Sequence, residues 1–296
     1  MAITCIFWGT TWVASKIAVQ QLHALQLAYI RQAIAGTSFL LYFFLFNRQP
    51  LPTLKQFYYL LLMAVLMFVF ANALSTWGLK YIPTGLASLI GALYPLSVVM
   101  IEWIFYKKKD VSVLTFVGLF LGIAGVGFVF YENMFSHLSS NLIFGLALSL
   151  FAMFSWSVGT VFLSRHQTGM NPYNAMGWQM VLGCIMLFLF TRSSSSLLPL
   201  SAITTKTWLM IAYLVVAGSI VSFIAFIYSL KVLPATISSL YAYINPIVAM
   251  IVASVLIEEK LTVSIFIGTI ITLVGVYLVN HSVKKDREKI IAEAEI

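Results

Sequence analysis

Charge is what this 296-residue sequence has least of: Asp, Glu, Lys and Arg make up 9% of it, against roughly 25% in a soluble domain. A chain of this size with 61% hydrophobic residues cannot cover an apolar core with polar surface, which excludes a soluble globular protein. Cysteine is scarce too. Cys5 and Cys184 both sit in apolar runs, so a secreted disulfide scaffold is excluded. There is no HExxH, no CxxC, no GxxxxGKS/T and no pair of carboxylates facing one helix groove, which removes the usual signatures of metal or acid–base enzymes and of ATP drive. We therefore expect no enzyme activity, no cofactor and no metal site. Aromatic residues, at 15%, are abundant and exclude disorder. What remains is an integral membrane protein.

A spanning helix needs about 20 mostly apolar residues, and ten such stretches fit: 2–20, 25–46, 56–79, 83–106, 113–131, 141–163, 171–191, 206–229, 233–257 and 262–281. Their apolar runs are continuous and do not alternate, so the chain reads as all-α and not as a β-barrel. The first stretch lacks the charged flank and cleavage site of a signal peptide and reads as a retained span. With the N-terminus inside, eleven basic residues fall on the cytoplasmic side (Arg48, Lys55, Lys107, Lys108, Lys109, Arg165, Lys231, Lys284, Lys285, Arg287 and Lys289). Five fall outside (Lys16, Lys80, Arg192, Lys206 and Lys260). This asymmetry predicts both termini cytoplasmic; the expected location of this multi-pass protein is a cell membrane, a bacterial inner membrane. The basic residues are spread over loops and make no nucleic-acid surface; the expected partners are lipid and a small solute.

The two halves repeat. At a shift of 151, YIPTGLASLIGALYPLSVVM (81–100) lies over VLPATISSLYAYINPIVAMI (232–251), matching Pro83 with Pro234, Ser88 with Ser239 and Pro95 with Pro246. Shifts of 147 to 151 also pair Trp8 with Trp156, Gln32 with Gln179, Gly36 with Gly183, Gly118 with Gly268 and Gly125 with Gly275. Each copy holds five spans, an odd number, so the second enters the membrane in the opposite sense. The expected organisation is a five-helix repeat over 1–131, a linker over 132–140, an inverted five-helix repeat over 141–281 and a charged tail over 282–296. Inverted repeats are a recurring plan of secondary transporters, with the solute site between the repeats; a channel or a scaffold is the alternative. Gly118-x-x-x-Gly122 allows close helix approach, either within the chain or in a homodimer.

Four segments carry a family resemblance: FWGTTWVASK (7–16), IRQAIAG (30–36), TGLASLIGALYPL (84–96) and ISSLYAYINPIVAMIVASVLIEEKLT (237–262). Together they resemble the EamA family of the drug/metabolite transporter superfamily, as two consecutive units over nearly the whole chain. The resemblance implies ten helices, termini inside, and a central cavity lined mainly by spans 1, 3, 4, 6, 8 and 9. It implies export or exchange of amino acids, other metabolites or drugs. The family's glutamate after the fourth span of a unit is matched by Glu259 in the second unit, whereas Lys108 stands in its place in the first.

Candidate solute contacts follow from helix faces. Trp8, Thr11, Trp12 and Ser15 recur at i, i+3, i+4 and i+7, one face of aromatic rings and hydroxyls without charge. That face suits either a solute pocket or packing. Tyr241 and Asn245, with Ser238, share a face in span 9 ahead of Pro246; Ser88 and Tyr94 precede Pro95 in span 4. Both prolines are expected to interrupt helix hydrogen bonding and act as breaks or hinges. Asn72 with Ser75 and Thr76 in span 3, Ser149, Trp156 and Thr160 in span 6, and Ser219 and Ser222 in span 8 complete the set. Hydroxyls in membrane helices often bond only to neighbouring helices, for roughly 0.6–2 kcal/mol.

Intramembrane charges are few. Glu102 is the one carboxylate well within a span, near the cytoplasmic end of span 4; Lys16 and Arg31 lie toward outer ends. Snorkelling of all three to the headgroups is the simplest expectation, with an outer gate pairing Glu259 with Lys16 or Arg31 as the alternative. No histidine lies mid-span. So thin a set of proton-relay groups predicts facilitated transport or exchange and not stoichiometric proton coupling.

Overall fold

The structure is a computed structural model that describes residues 2–106, 112–136, 140–166, 168–192, 197–233, 238 and 241–294. The masked positions include Lys107, Lys108, Lys109, Pro234 and Ser239, so the readings placed on these lie outside the described residues, as do the side chains of the charged tail. Among the described residues all regular structure is helical. In chain order the main helices are α1 (Ala2–Ala18), α2 (Ala24–Leu45), α3 (Leu54–Gly78), α4 (Thr84–Tyr106), α5 (Val113–Ser136), α6 (Ser140–Arg165), α7 (Pro172–Thr191), α8 (Thr205–Val232), α9 (Tyr241–Ile257) and α10 (Val263–Ala294).

Seven of these are long and apolar enough to cross a membrane: α2, α3, α4, α6, α7, α8 and the Val263–Ser282 part of α10. Among the described residues, three expected spans offer shorter stretches. α1 has 17 residues, and the apolar parts of α5 and α9 cover Val113–Val129 and Ile244–Ile257. At 1.5 Å per residue, 17 residues reach about 26 Å, a little less than the roughly 30 Å hydrocarbon layer. The expected tail, 282–296, continues α10 as helix to Ala294.

Local chemistry sets the helix starts. Thr53 opens α3 with a capping box, its hydroxyl accepting from Gln56 N while Gln56 Oε1 accepts from Thr53 N. Asn171 caps α7 ahead of Pro172, and Thr204 caps α8. His23 caps α2 through Nδ1, which accepts from Leu25 N. Burial and the neighbouring Lys80 charge push this imidazole below its ordinary value, which favours the neutral form that can accept.

The bundle is apolar outside as well as inside. Phe44, Phe46, Phe105, Phe120, Phe190 and Val255 are exposed, as helices facing lipid require. α5 runs along α10, and α2 along α7. Glycines let these pairs close. A Cβ at Gly118 would stand 2.5 Å from the Gly275 carbonyl, and one at Gly125 would stand 2.6 Å from that of Gly268. The Gly118 stripe is therefore used within the chain. Between these pairs, α1 packs on α8 and α9, while α6 packs on α3 and α4.

Two helices carry π-helical turns, Val65–Ala73 in α3 and Leu214–Val221 in α8. Such wide turns are rare and cluster at functional sites. In α8 the Ser222 hydroxyl donates to the carbonyl of Ala217, five residues back. The two prolines behave differently. α4 is interrupted at Leu93, whose N–H turns back to Ile90 O, and Pro95 stands in the first turn of the resumed helix, where no N–H is needed. α9 instead runs from Tyr241 to Ile257 with Pro246 inside it.

Candidate functional site

A cavity of about 160 Å³ lies between the inner helices, with space on the order of ten waters. Its wall includes Trp8, Thr11, Trp12 and Ser15 of α1, Asn72, Ser75 and Thr76 of α3, and Ser88 and Tyr94 of α4. Ser149, Met153 and Trp156 of α6, Phe223 of α8, and Tyr241 and Asn245 of α9 complete it, with Arg31 entering from α2. The i, i+3, i+4, i+7 face of α1 thus turns to the cavity as a unit.

An aromatic cluster floors the space. Trp8 is its hub, with ring centroids 4.8 Å from Tyr241, 5.3 Å from Phe223 and 5.5 Å from Trp156. The edge-on geometries are those that aromatic quadrupoles prefer. Two hydrogen bonds fix the cluster: Trp8 Nε1 donates to Gly218 O at 2.9 Å, and Trp156 Nε1 donates to the Tyr241 hydroxyl at 3.1 Å. Tyr94 meets Tyr241 at 5.7 Å. The Trp156–Tyr241 and Tyr94–Tyr241 contacts join α4 and α6 to α9. The Oδ1 atoms of Asn72 and Asn245 and the Ser149 hydroxyl are buried with no hydrogen-bond partner among the described residues. Buried acceptors left open cost stability, and these three all border the cavity.

The expected site residues divide clearly. Trp8, Thr11, Trp12, Ser15, Asn72, Ser88, Tyr94, Trp156, Tyr241 and Asn245 meet at the cavity. Thr160 is fully buried but absent from the wall, and Ser219 and Ser222 are spent on bonds inside the bundle. Pro95 and Pro246 do not border the space. Phe223 and Met153 do, although nothing in the sequence distinguishes them from the other phenylalanines and methionines.

The charged residues require correction. Arg31 does not snorkel: it is 7% exposed, lines the cavity and donates from Nε to Ser219 Oγ at 2.6 Å. A glycine makes this seat, since a Cβ at Gly218 would stand 3.0 Å from the Arg31 Nη2 and 2.7 Å from Thr11. Glu102 pairs with Arg165 at 3.3 Å, and Arg165 also lies over the Tyr106 ring. Lys16 and Glu259 form no ion pair. Lys16 Nζ donates to the carbonyls of Leu79 and Ile82, each at 2.7 Å. The Glu259 carboxylate accepts from Thr84 N at 2.9 and 3.1 Å and from Thr84 Oγ1 at 2.8 Å. The open carbonyls at the end of α3 and the open N–H groups at the start of α4 are better partners for a cation and an anion than each other.

Glu259 therefore ties the α9–α10 turn to α4, and Glu259→Ala is expected to destabilise the protein by about 1–3 kcal/mol. A lower midpoint of thermal unfolding in detergent would report it. An unchanged midpoint would mean that this cap carries no weight.

The sequence matches the EamA-like transporter family over residues 1–131 and 143–281. It is 27% identical to the uncharacterized transporter YvbV of Bacillus subtilis, over 97% of this chain and 92% of that one. It is also 27% identical to the uncharacterized inner membrane transporter YedA of Escherichia coli K12, over 92% of this chain and 89% of that one. A solved crystal structure shares the fold, with a TM-score of 0.69 and 14% identity over 93% of each chain.

Proposed function

We propose that this chain, which belongs to the EamA-like transporter family, is a secondary carrier moving a small organic metabolite such as an amino acid across the membrane. The cavity carries this reading: its described wall is made of aromatic rings, hydroxyls and open amide acceptors around the Arg31 guanidinium. Such a wall binds and releases a solute unchanged.

Ten spans in two inverted repeats, with both termini cytoplasmic, are the organisation we infer. The π-helical turns support it, for Val65–Ala73 and Leu214–Val221 begin 149 residues apart, inside the 147–151 register of the sequence repeat. The glycine contacts support it too. Gly118 is matched in sequence with Gly268 and Gly125 with Gly275, and the contacts run from Gly118 to Gly275 and from Gly125 to Gly268. Exchanging the halves maps one contact onto the other, as a twofold relation requires.

Alternating access then has a physical basis in two sets of contacts between the same helix groups. Toward one end, Lys16 and Glu259 hold the α3–α4 connection to α1 and the α9–α10 turn. The aromatic floor forms the second set, joining α4 and α6 to α1 and α9. Rocking one group against the other would part the floor while the first set persists. Glu102, paired with Arg165 and away from the cavity, is not positioned to hand a proton to the solute, which favours export or exchange down gradients.

Counterflow in proteoliposomes against an amino-acid panel tests the proposal. Accumulation of a labelled amino acid is expected, falling at least about tenfold in Tyr241→Ala, where the floor loses both a ring and a charge-free hydrogen bond. An imposed pH gradient is expected to leave the exchange unchanged. Conductive, non-saturating flux would identify a channel, and inserted protein with no solute flux at all would point to a scaffold.

A further inference from the structure

A buried cation in a membrane bundle demands an anion. Arg31 finds none among the described residues, whose one ion pair within 4.0 Å joins Glu102 to Arg165. A guanidinium carries five N–H donors in a fixed fork. Nε is taken by Ser219, and no carboxylate of the described residues lies within 4.0 Å of the rest. The seat is nevertheless built for it, since Gly218 leaves the room that any side chain would fill and the π-helical turn of α8 presents Ser219.

Among the described residues, the cavity wall thus holds one fixed positive charge and no carboxylate. It also holds three open neutral acceptors, Asn72 Oδ1, Asn245 Oδ1 and Ser149 Oγ. The same wall holds the rings of Trp8, Trp156, Tyr241 and Phe223. A single carboxylate fits the fork bidentately and neutralises it, whereas a phosphate dianion would leave an unpaired charge. An ammonium group can donate to the amide oxygens without any acidic partner. An apolar body meets the rings.

We propose that Arg31 binds the carboxylate of the transported solute, and that this solute is a zwitterionic amino acid with an apolar or aromatic side chain. Its ammonium is accepted by the side-chain carbonyls of Asn72 and Asn245. This assignment rests on the carrier reading above and names its substrate class.

The test uses solute-induced thermal stabilisation of the purified protein and inhibition of counterflow in parallel. The probes are L-tryptophan and L-leucine, their methyl esters, and the decarboxylated amines tryptamine and isoamylamine. The amino acids are expected to bind, with the esters and amines roughly ten- to hundredfold weaker, the loss of a hydrogen-bonded charge partner. Arg31→Gln is expected to abolish the preference for the acid, and Arg31→Lys to keep it in weakened form. Where Arg31→Gln does not fold, the probe series on the wild-type protein decides. Esters or amines that bind as tightly as the acids overturn the assignment, as does Arg31→Gln that still prefers the acids; counterflow persisting in either case leaves the carrier reading standing. Absence of binding by both amino acids overturns the assignment as well, and counterflow with the wider panel then judges the carrier separately.

Discussion

Gly275→Ala is expected to destabilise the protein by about 1–3 kcal/mol and Gly275→Val by more, because inserted methyl groups in a packed interface force backbone shifts. A Cβ at Gly275 would lie 2.6 Å from the Gly118 carbonyl and against the backbone of Gly122. Backbone is the obstacle here, so no rotamer change relieves it, and α5 and α10 must separate along their shared length. Gly127 supplies the control on the facing helix, α5, for a Cβ there meets nothing within 4 Å. Gly127→Ala is expected to be neutral or stabilising by up to about 1 kcal/mol through helix propensity. Thermal unfolding of both variants in one detergent reads the difference. Equal midpoints would mean that α5 and α10 are not held at glycine-to-glycine distance.

Trp8→Ala is expected to lose about 3–5 kcal/mol, the range for truncating a buried tryptophan, together with all measurable counterflow. Trp8 is 8% exposed, touches the rings of Trp156, Phe223, Phe226 and Tyr241, and holds the π-helical turn of α8 through Gly218 O. Trp8→Phe separates the two roles. It keeps much of the ring packing but leaves the Gly218 carbonyl without its donor, for a smaller loss of about 1–3 kcal/mol. Because Ser219 follows Gly218, that variant should also disturb the Arg31 seat and weaken transport more than its stability loss accounts for. Unfolding midpoints and counterflow measured on the same preparations check both statements. A Trp8→Ala protein as stable as the wild type would dismiss the aromatic hub.

Hydropathy alone determines that this chain is a bundle of apolar helices in a membrane, because long uncharged runs have no other stable fate in water. The spacing of Trp8, Thr11, Trp12 and Ser15 determines that they share a face, since 3.6 residues per turn is a property of the backbone. The recurrence of Pro95 and Pro246, and of the glycine pairs, is legible in the sequence as well. Its consequences are not: α4 breaks at Leu93 while α9 continues through Pro246, a difference that local propensity does not encode.

The destinations of the charged side chains were decided only by tertiary structure. Arg31 and Lys16 have stems long enough to reach either headgroups or the interior, and sequence gives no preference between them. Arg31 turns inward because Gly218 and Ser219, nearly two hundred residues along the chain, make room and offer an acceptor. Lys16 and Glu259 bond to the α3–α4 connection and not to each other because helix ends present unpaired carbonyls and N–H groups at close range. A buried polar group goes to whichever partner the packed helices bring within hydrogen-bond distance, and that proximity exists only once the helices have assembled.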